Sequence, residues 1–165
     1  MEFTKRTKEI VKDLRIIDDA LFRIMCKDKK VCQEMLQTLL DDPELEVITA
    51  SVQERITSFK REVVLDCLCR LSDGRYVNIE VQKDNHNDDI RRNRLHLSVI
   101  TADNTSKGTL FEDVPEVVVI YISEYDALKN NQAVTLCEMC QLIGSEYMPL
   151  HDGARIYYAN TGDSI

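Results

Sequence analysis

The stretch LDCLCRLSDGRYVNIEVQ, residues 65–82, constrains the fold more than any other part of the chain. Two runs of strand-forming residues flank Ser72-Asp73-Gly74. Those three residues suit a hairpin loop built on a type I turn and closed by a residue in the left-handed region, where glycine is at ease. Such a loop pairs Leu71 with Arg75 and, counting outward, Asp66 with Glu80. Side chains alternate along a strand. One face then carries Leu65, Cys67, Cys69 and Leu71 against Val77, Ile79 and Val81, and reads as core. The other carries Asp66, Leu68 and Arg70 against Tyr76, Asn78, Glu80 and Gln82. A two-residue Asp73-Gly74 loop would put the acids on opposite faces and mix polar with apolar residues on both, so the pattern argues against it. Directly opposed residues have Cβ atoms roughly 4.5–5.5 Å apart. Two carboxylates that close repel unless a cation or a proton joins them. Neutralising Glu80 is therefore expected to keep or raise stability in metal-free buffer.

The rest of the chain reads as one unit over residues 1–165, enough for a single domain with a sizeable core. Residues from about Lys12 to Leu40 have helical spacing, in two pieces, with Asp28 placed to cap the second and Asp41-Asp42-Pro43 to end it. Glu46 to Phe59 has β character, and the hairpin follows over about 62–82. After a polar loop, Lys83 to Asn87, a helix begins at Asp88 or Asp89 and runs to about Thr105, closed by Lys107-Gly108. Val114 to Ile122 is an apolar, β-branched run that reads as a strand buried on both faces and parallel to a neighbour. Asp126 to Gly144 fits neither period clearly. Arg155 to Tyr158 reads as a strand after the turn His151-Asp152-Gly153. The order α-β-β-β-α-β implies an α/β or α+β fold, a sheet with helices packed against it.

Composition narrows the functions. No apolar run reaches membrane-span length, and the charged N-terminal stretch MEFTKRTKEIVKDL lacks the apolar centre of a secretory signal. The six cysteines lie inside apolar strands and helices, which points to reduced thiols in a cytoplasmic protein. The net charge of −8 argues mildly against a large nucleic-acid interface but leaves room for a local basic patch.

A strand, a turn, a second strand ending Glu-x-Gln, an Arg-bearing helix and a buried strand together resemble the PD-(D/E)XK nuclease superfamily. The chain is most similar to one branch, the PD-(D/E)XK nuclease family transposases, related to the recombination-promoting nucleases of bacteria. Asp19-Ala20-Leu21-Phe22-Arg23 resembles that branch's opening motif, Leu65-Asp66 its Leu-Asp pair, and Ser72 to Gln82 its D-G-x-x-x-x-I-E-x-Q stretch. Arg91, Arg92 and Arg94 resemble the basic start of the following helix. Val114-Pro115, and Asp152-Gly153 through Asn160-Thr161, fit the later strands. Leu95-His96 departs from the branch, which places two aromatics there. The resemblance also implies a further helical region beyond the core, which the residues up to Ile165 do not include.

The resemblance implies a restriction-endonuclease-like core, a mixed β-sheet flanked by helices. It implies a Mg²⁺-dependent deoxyribonuclease, with Mn²⁺ as a substitute, linked to transposition or recombination and acting on DNA. Asp66 and Glu80 would bind the metal, with the backbone carbonyl of Val81 completing the set. Gln82 would stand at the superfamily's lysine position. Asp19 or Glu54 would be the extra acid found in many members, and Arg91, Arg92 and Arg94 would contact phosphates. Homodimerisation is left as an option.

The chemistry supports such a site. Phosphodiester hydrolysis needs a nucleophilic water and stabilisation of added negative charge, and a metal held by two carboxylates supplies both. Gln82 shares a face with Glu80 and can orient water or a phosphate oxygen, but it carries no charge. Arg91, Arg92 and Arg94 could equally pair with Asp88 and Asp89 on a solvated face. His86 and His96 are within reach of such a site, although surface or packing roles suit each. Cys137-x-x-Cys140 lacks a second pair at zinc spacing. Cys67 and Cys69 point together into the core, Cys26 and Cys32 stand apart on helices, and all six read as plain thiols. The alternative function is a non-catalytic protein that keeps a nuclease fold as a binding or oligomerisation module.

Overall fold

The computed structural model describes residues 19–58, 61–85 and 90–162. It is a mixed α+β structure, organised by one six-stranded sheet. Helix α1 (Asp19–Met25) and helix α2 (Lys29–Leu39) come first. Strands β1 (Val47–Ser58), β2 (Arg61–Leu71) and β3 (Tyr76–Gln82) form an antiparallel run. Helix α3 (Arg91–Asp103) carries the chain to β4 (Val117–Ser123), which lies parallel to β3. A short hairpin of β6 (Cys140–Ile143) and β7 (Glu146–Pro149) separates β5 (Val134–Glu138) from β8 (Ala154–Asn160). Strand β8 is parallel to β4 and antiparallel to β5.

Local signals account for most of these elements. Asp28 caps α2 by accepting the Lys30 N–H at 2.9 Å, and Asp41 turns the chain away with φ 53°. Every residue of β4 is buried, as its unbroken β-branched run implies for a central parallel strand. The strands within Asp126 to Gly144 are the ones that sequence periodicity leaves open. They are short: β6 is exposed throughout, and β5 sets only Val134 and Leu136 against the core. The proposed helix starts at Asp88 or Asp89, residues 12–18 of the first helical stretch and His86 lie outside the described residues.

The hairpin has the expected turn. Leu71 N–H donates to the Arg75 carbonyl at 2.9 Å, Gly74 takes φ 91°, and the register runs Arg70↔Tyr76, Cys69↔Val77, Leu68↔Asn78, Cys67↔Ile79. Arg75 ties the tip down through Asp73 (2.6 Å) and Asp42 (3.0 Å).

Two apolar clusters lie on opposite faces of the sheet. The larger joins α1 and α2 to Cys67, Cys69, Leu71, Val77, Ile79 and Val81. The smaller joins Val99 and Ile100 of α3 to Ile56, Val63, Leu65 and Val117. Leu65 therefore corrects the expectation that it shares a face with Cys67. Strand β2 swaps faces at Asp66, between them. Strand β1 does the same: Val52 packs against the larger cluster and Ile56 belongs to the smaller. The residue between Val52 and Glu54 is Gln53, which sits at φ 56°, a left-handed conformation uncommon outside glycine. The paired strands kink together at Gln53 and Asp66, so their outer halves turn toward α3.

Candidate functional site

The kink builds the site. The β2–β3 ladder stops at Cys67↔Ile79, one pair short of the two acids. In a continued ladder the Val81 N–H would meet the Leu65 carbonyl, because the hydrogen-bonded pairs fall on odd residues from Leu71 outward. Instead Val81 N–H donates to Asp66 Oδ2 at 3.2 Å, and Asp66 N–H donates to Glu80 Oε1 at 3.3 Å. Each carboxylate thus accepts a backbone N–H from the other acid's strand. Asp66 bridges the fork between β2 and β3 rather than simply standing opposite Glu80 on a flat face. Gln53 Nε2 donates to Asp66 Oδ1 at 3.2 Å, so the residue that kinks β1 also holds this acid.

Glu80 is almost fully buried, at 1% exposure, on the α3 side. A lone carboxylate could not stay ionised so deep without partners. Asn78 Nδ2 donates to Oε1 at 2.8 Å, and Arg92 Nη2 donates to Oε2 at 3.1 Å. His96 Nδ1 lies 3.2 Å from Oε1 without the alignment of a hydrogen bond. Arg92 and His96 are four residues apart on α3 and so share a face. Beside this carboxylate, Asn78 Oδ1 and His96 Nδ1 are buried with no hydrogen-bond partner among the described residues.

The other sequence candidates divide. Gln82 is half-buried, follows Glu80 on the same side of β3, and donates from Nε2 to the Asp84 carbonyl at 2.9 Å. Its neighbours across the parallel strands are Ser123 and Asn160, both buried, which extends the polar row along the strand ends. Arg92 is engaged with Glu80, whereas Arg91 and Arg94 are exposed on α3. Glu54 pairs with Leu65 on β1, one position past Gln53. Asp19 opens α1, and its side chain lies outside the described residues. Cys137 is half-buried on β5, where burial raises its thiol, and Cys140 is exposed on β6.

Gln53, Asn78, and the pairing of Glu80 with Arg92 and His96 escape a sequence reading. Asn78 carried a signal, two residues before Glu80 on the same face. Arg92 and His96 carried one in their helix spacing. Gln53 carried none, since nothing local marks a non-glycine residue for positive φ.

The donor set suits a hard divalent cation. The carboxylates of Asp66 and Glu80 offer only oxygen, the preference of Mg²⁺ and its relatives. The guanidinium of Arg92 supplies the positive charge beside Glu80 in this structure, on a part-exposed side chain. No described helix is long and apolar enough to cross a membrane. Comparison with protein families matches residues 18–160 to the model for "PD-(D/E)XK nuclease family transposase". Searches of curated proteins and of solved structures returned no match.

Proposed function

Because the chain belongs to the PD-(D/E)XK nuclease family transposases, we propose that it is a metal-dependent DNA endonuclease of transposition or recombination, with Asp66 and Glu80 as metal-binding acids. The observation that carries this reading is the reciprocal bonding of the two acids across the β2–β3 fork. It fixes both carboxylates on stiff strands, which a reaction centre needs and a solvated surface pair does not. Asp66, Glu80 and the Val81 carbonyl would hold Mg²⁺ or Mn²⁺, which when bound would acidify water and polarise the phosphate.

The chain's own residues then have separate tasks. Gln53 and the Val81 N–H orient Asp66. Asn78 and the Asp66 N–H orient Glu80. Gln82 positions water or a phosphate oxygen through its amide. Arg92 balances the charge of Glu80 in the free protein and, with Arg91 and Arg94, faces the phosphate backbone of DNA. The six free cysteines support a cytoplasmic setting.

A second reading has an observation of its own. Glu80 is fully occupied by donors, as in a buried structural ion pair. That favours a nuclease fold kept as a binding module. Nicking of supercoiled plasmid in Mg²⁺ or Mn²⁺, against EDTA, separates the two. Cleavage only with metal supports the endonuclease, and DNA retention without cleavage in either metal supports the binding module.

A further inference from the structure

Helix α1 ends at Met25 and α2 begins at Lys29, with a tight corner between them. The corner is closed by Cys26 N–H donating to the Phe22 carbonyl at 2.9 Å and Cys32 N–H to the Asp28 carbonyl at 3.2 Å. Cys26 and Cys32, which the sequence reading sets apart, are thereby folded together over β2. The Sγ atoms of Cys26, Cys32 and Cys67 all lie within 4.8 Å of one another. Cys32 Sγ is 3.8 Å from Cys67 Sγ, which is 3.8 Å from Cys69 Sγ. All four side chains are 0% exposed.

A single buried cysteine is a small hydrophobe. Three from separate parts of the fold within 4.8 Å of one another, with Cys69 Sγ beside Cys67 Sγ, make a candidate ligand set. Sulfurs bonded to a tetrahedral zinc at about 2.3 Å stand roughly 3.8 Å apart along each edge. Two edges of that figure are already present. Cys26 Sγ is within about 1 Å of that edge length from Cys32 and Cys67, and Cys69 Sγ, which lies outside this 4.8 Å group, would swing toward Cys26 and Cys32 to close the figure.

We propose that Cys26, Cys32, Cys67 and Cys69 form a closed thiolate site for a soft d¹⁰ cation, with Zn²⁺ as its occupant. Loading breaks the S–H bonds, forms metal–sulfur bonds and releases the protons to solvent, and no electrons move. The site has no open position for water, so its role is structural. It ties the α1–α2 corner to β2 at Cys67, directly after Asp66. Its soft ligands keep it distinct from the oxygen set at Asp66 and Glu80.

The test uses the full, reduced chain titrated with Co²⁺ or Cd²⁺ in excess Mg²⁺. The expected result is saturation at one ion per chain, with thiolate-to-metal charge transfer, the visible bands of tetrahedral cobalt, and displacement by Zn²⁺. The double variant Cys137→Ser, Cys140→Ser should keep this signal, and Cys32→Ala should lose it. Absence of charge transfer in the folded wild type overturns the proposal, whatever the cysteine variants do. So does an unchanged signal in Cys32→Ala, or its loss in the Cys137→Ser, Cys140→Ser protein.

Discussion

Glu80→Gln keeps one oxygen to accept from the Asp66 N–H and Asn78 Nδ2 but turns an NH2 toward the Arg92 Nη2 that Oε2 now receives. From the sequence, repulsion between two carboxylates argues that Glu80→Gln should keep or raise stability. The contacts reverse that sign, because an amide turns donors against donors in a site at 1% exposure. Glu80→Gln is expected to lower stability by about 1–3 kcal/mol in EDTA, the range for a buried polar group left unsatisfied. Urea unfolding measures it, and a midpoint equal to or above wild type would show that repulsion dominates. Gln82 stands differently, since among the described residues its amide bonds the nearby Asp84 carbonyl. Gln82→Ala should slow cleavage roughly tenfold to a hundredfold, matching about 1.5–3 kcal/mol for a hydrogen bond to a charged group. Gln82→Lys should keep or raise the rate by adding charge, and single-turnover cleavage in saturating Mn²⁺ reads both.

Among the elements, the hairpin was the most legible from sequence. Ser72-Asp73-Gly74 determines the loop, the loop determines the register, and the register brings Asp66 and Glu80 to the same fork. The kink was not legible. It depends on Gln53 at φ 56° and on β1–β2 pairing, which couples residues distant along the chain. Leu65 was accordingly assigned to the wrong face. The partners of Glu80 and the convergence of Cys26 with Cys67 arise only from packing of α3, and of α1 and α2, on the sheet. Two glycines separate backbone strain from crowding. Gly74 at φ 91° has no atom within 4 Å of an added Cβ, whereas at Gly153, φ 84°, that Cβ meets Glu116 Cγ at 2.6 Å. Each alanine variant should lose about 1 kcal/mol or more from the left-handed backbone. Gly153→Ala should lose more than Gly74→Ala, because it also displaces Glu116 from its pair with Arg155. Equal thermal midpoints for the two would refute the crowding argument.

For the whole molecule, the sheet gathers the candidate acids at one fork and leaves Cys26, Cys32, Cys67 and Cys69 on its other side, with α1 and α2. Metal bound at Asp66 and Glu80 should stabilise the folded state by mass action, by about 2.7 kcal/mol at a hundredfold excess over its dissociation constant. Arg92→Ala should amplify that gain, since it removes the charge now balancing Glu80. A melting temperature in Mn²⁺ that rises no further for Arg92→Ala than for wild type would separate Arg92 from the metal site. The central claim is tested most directly by cleavage of a DNA duplex by wild type and Asp66→Ala, each shown to be folded, in Mn²⁺ and in EDTA. Cleavage by wild type in Mn²⁺ alone, with none by Asp66→Ala, is the predicted result. Equal cleavage by the variant, cleavage in EDTA, or no cleavage by wild type in Mn²⁺ would contradict it.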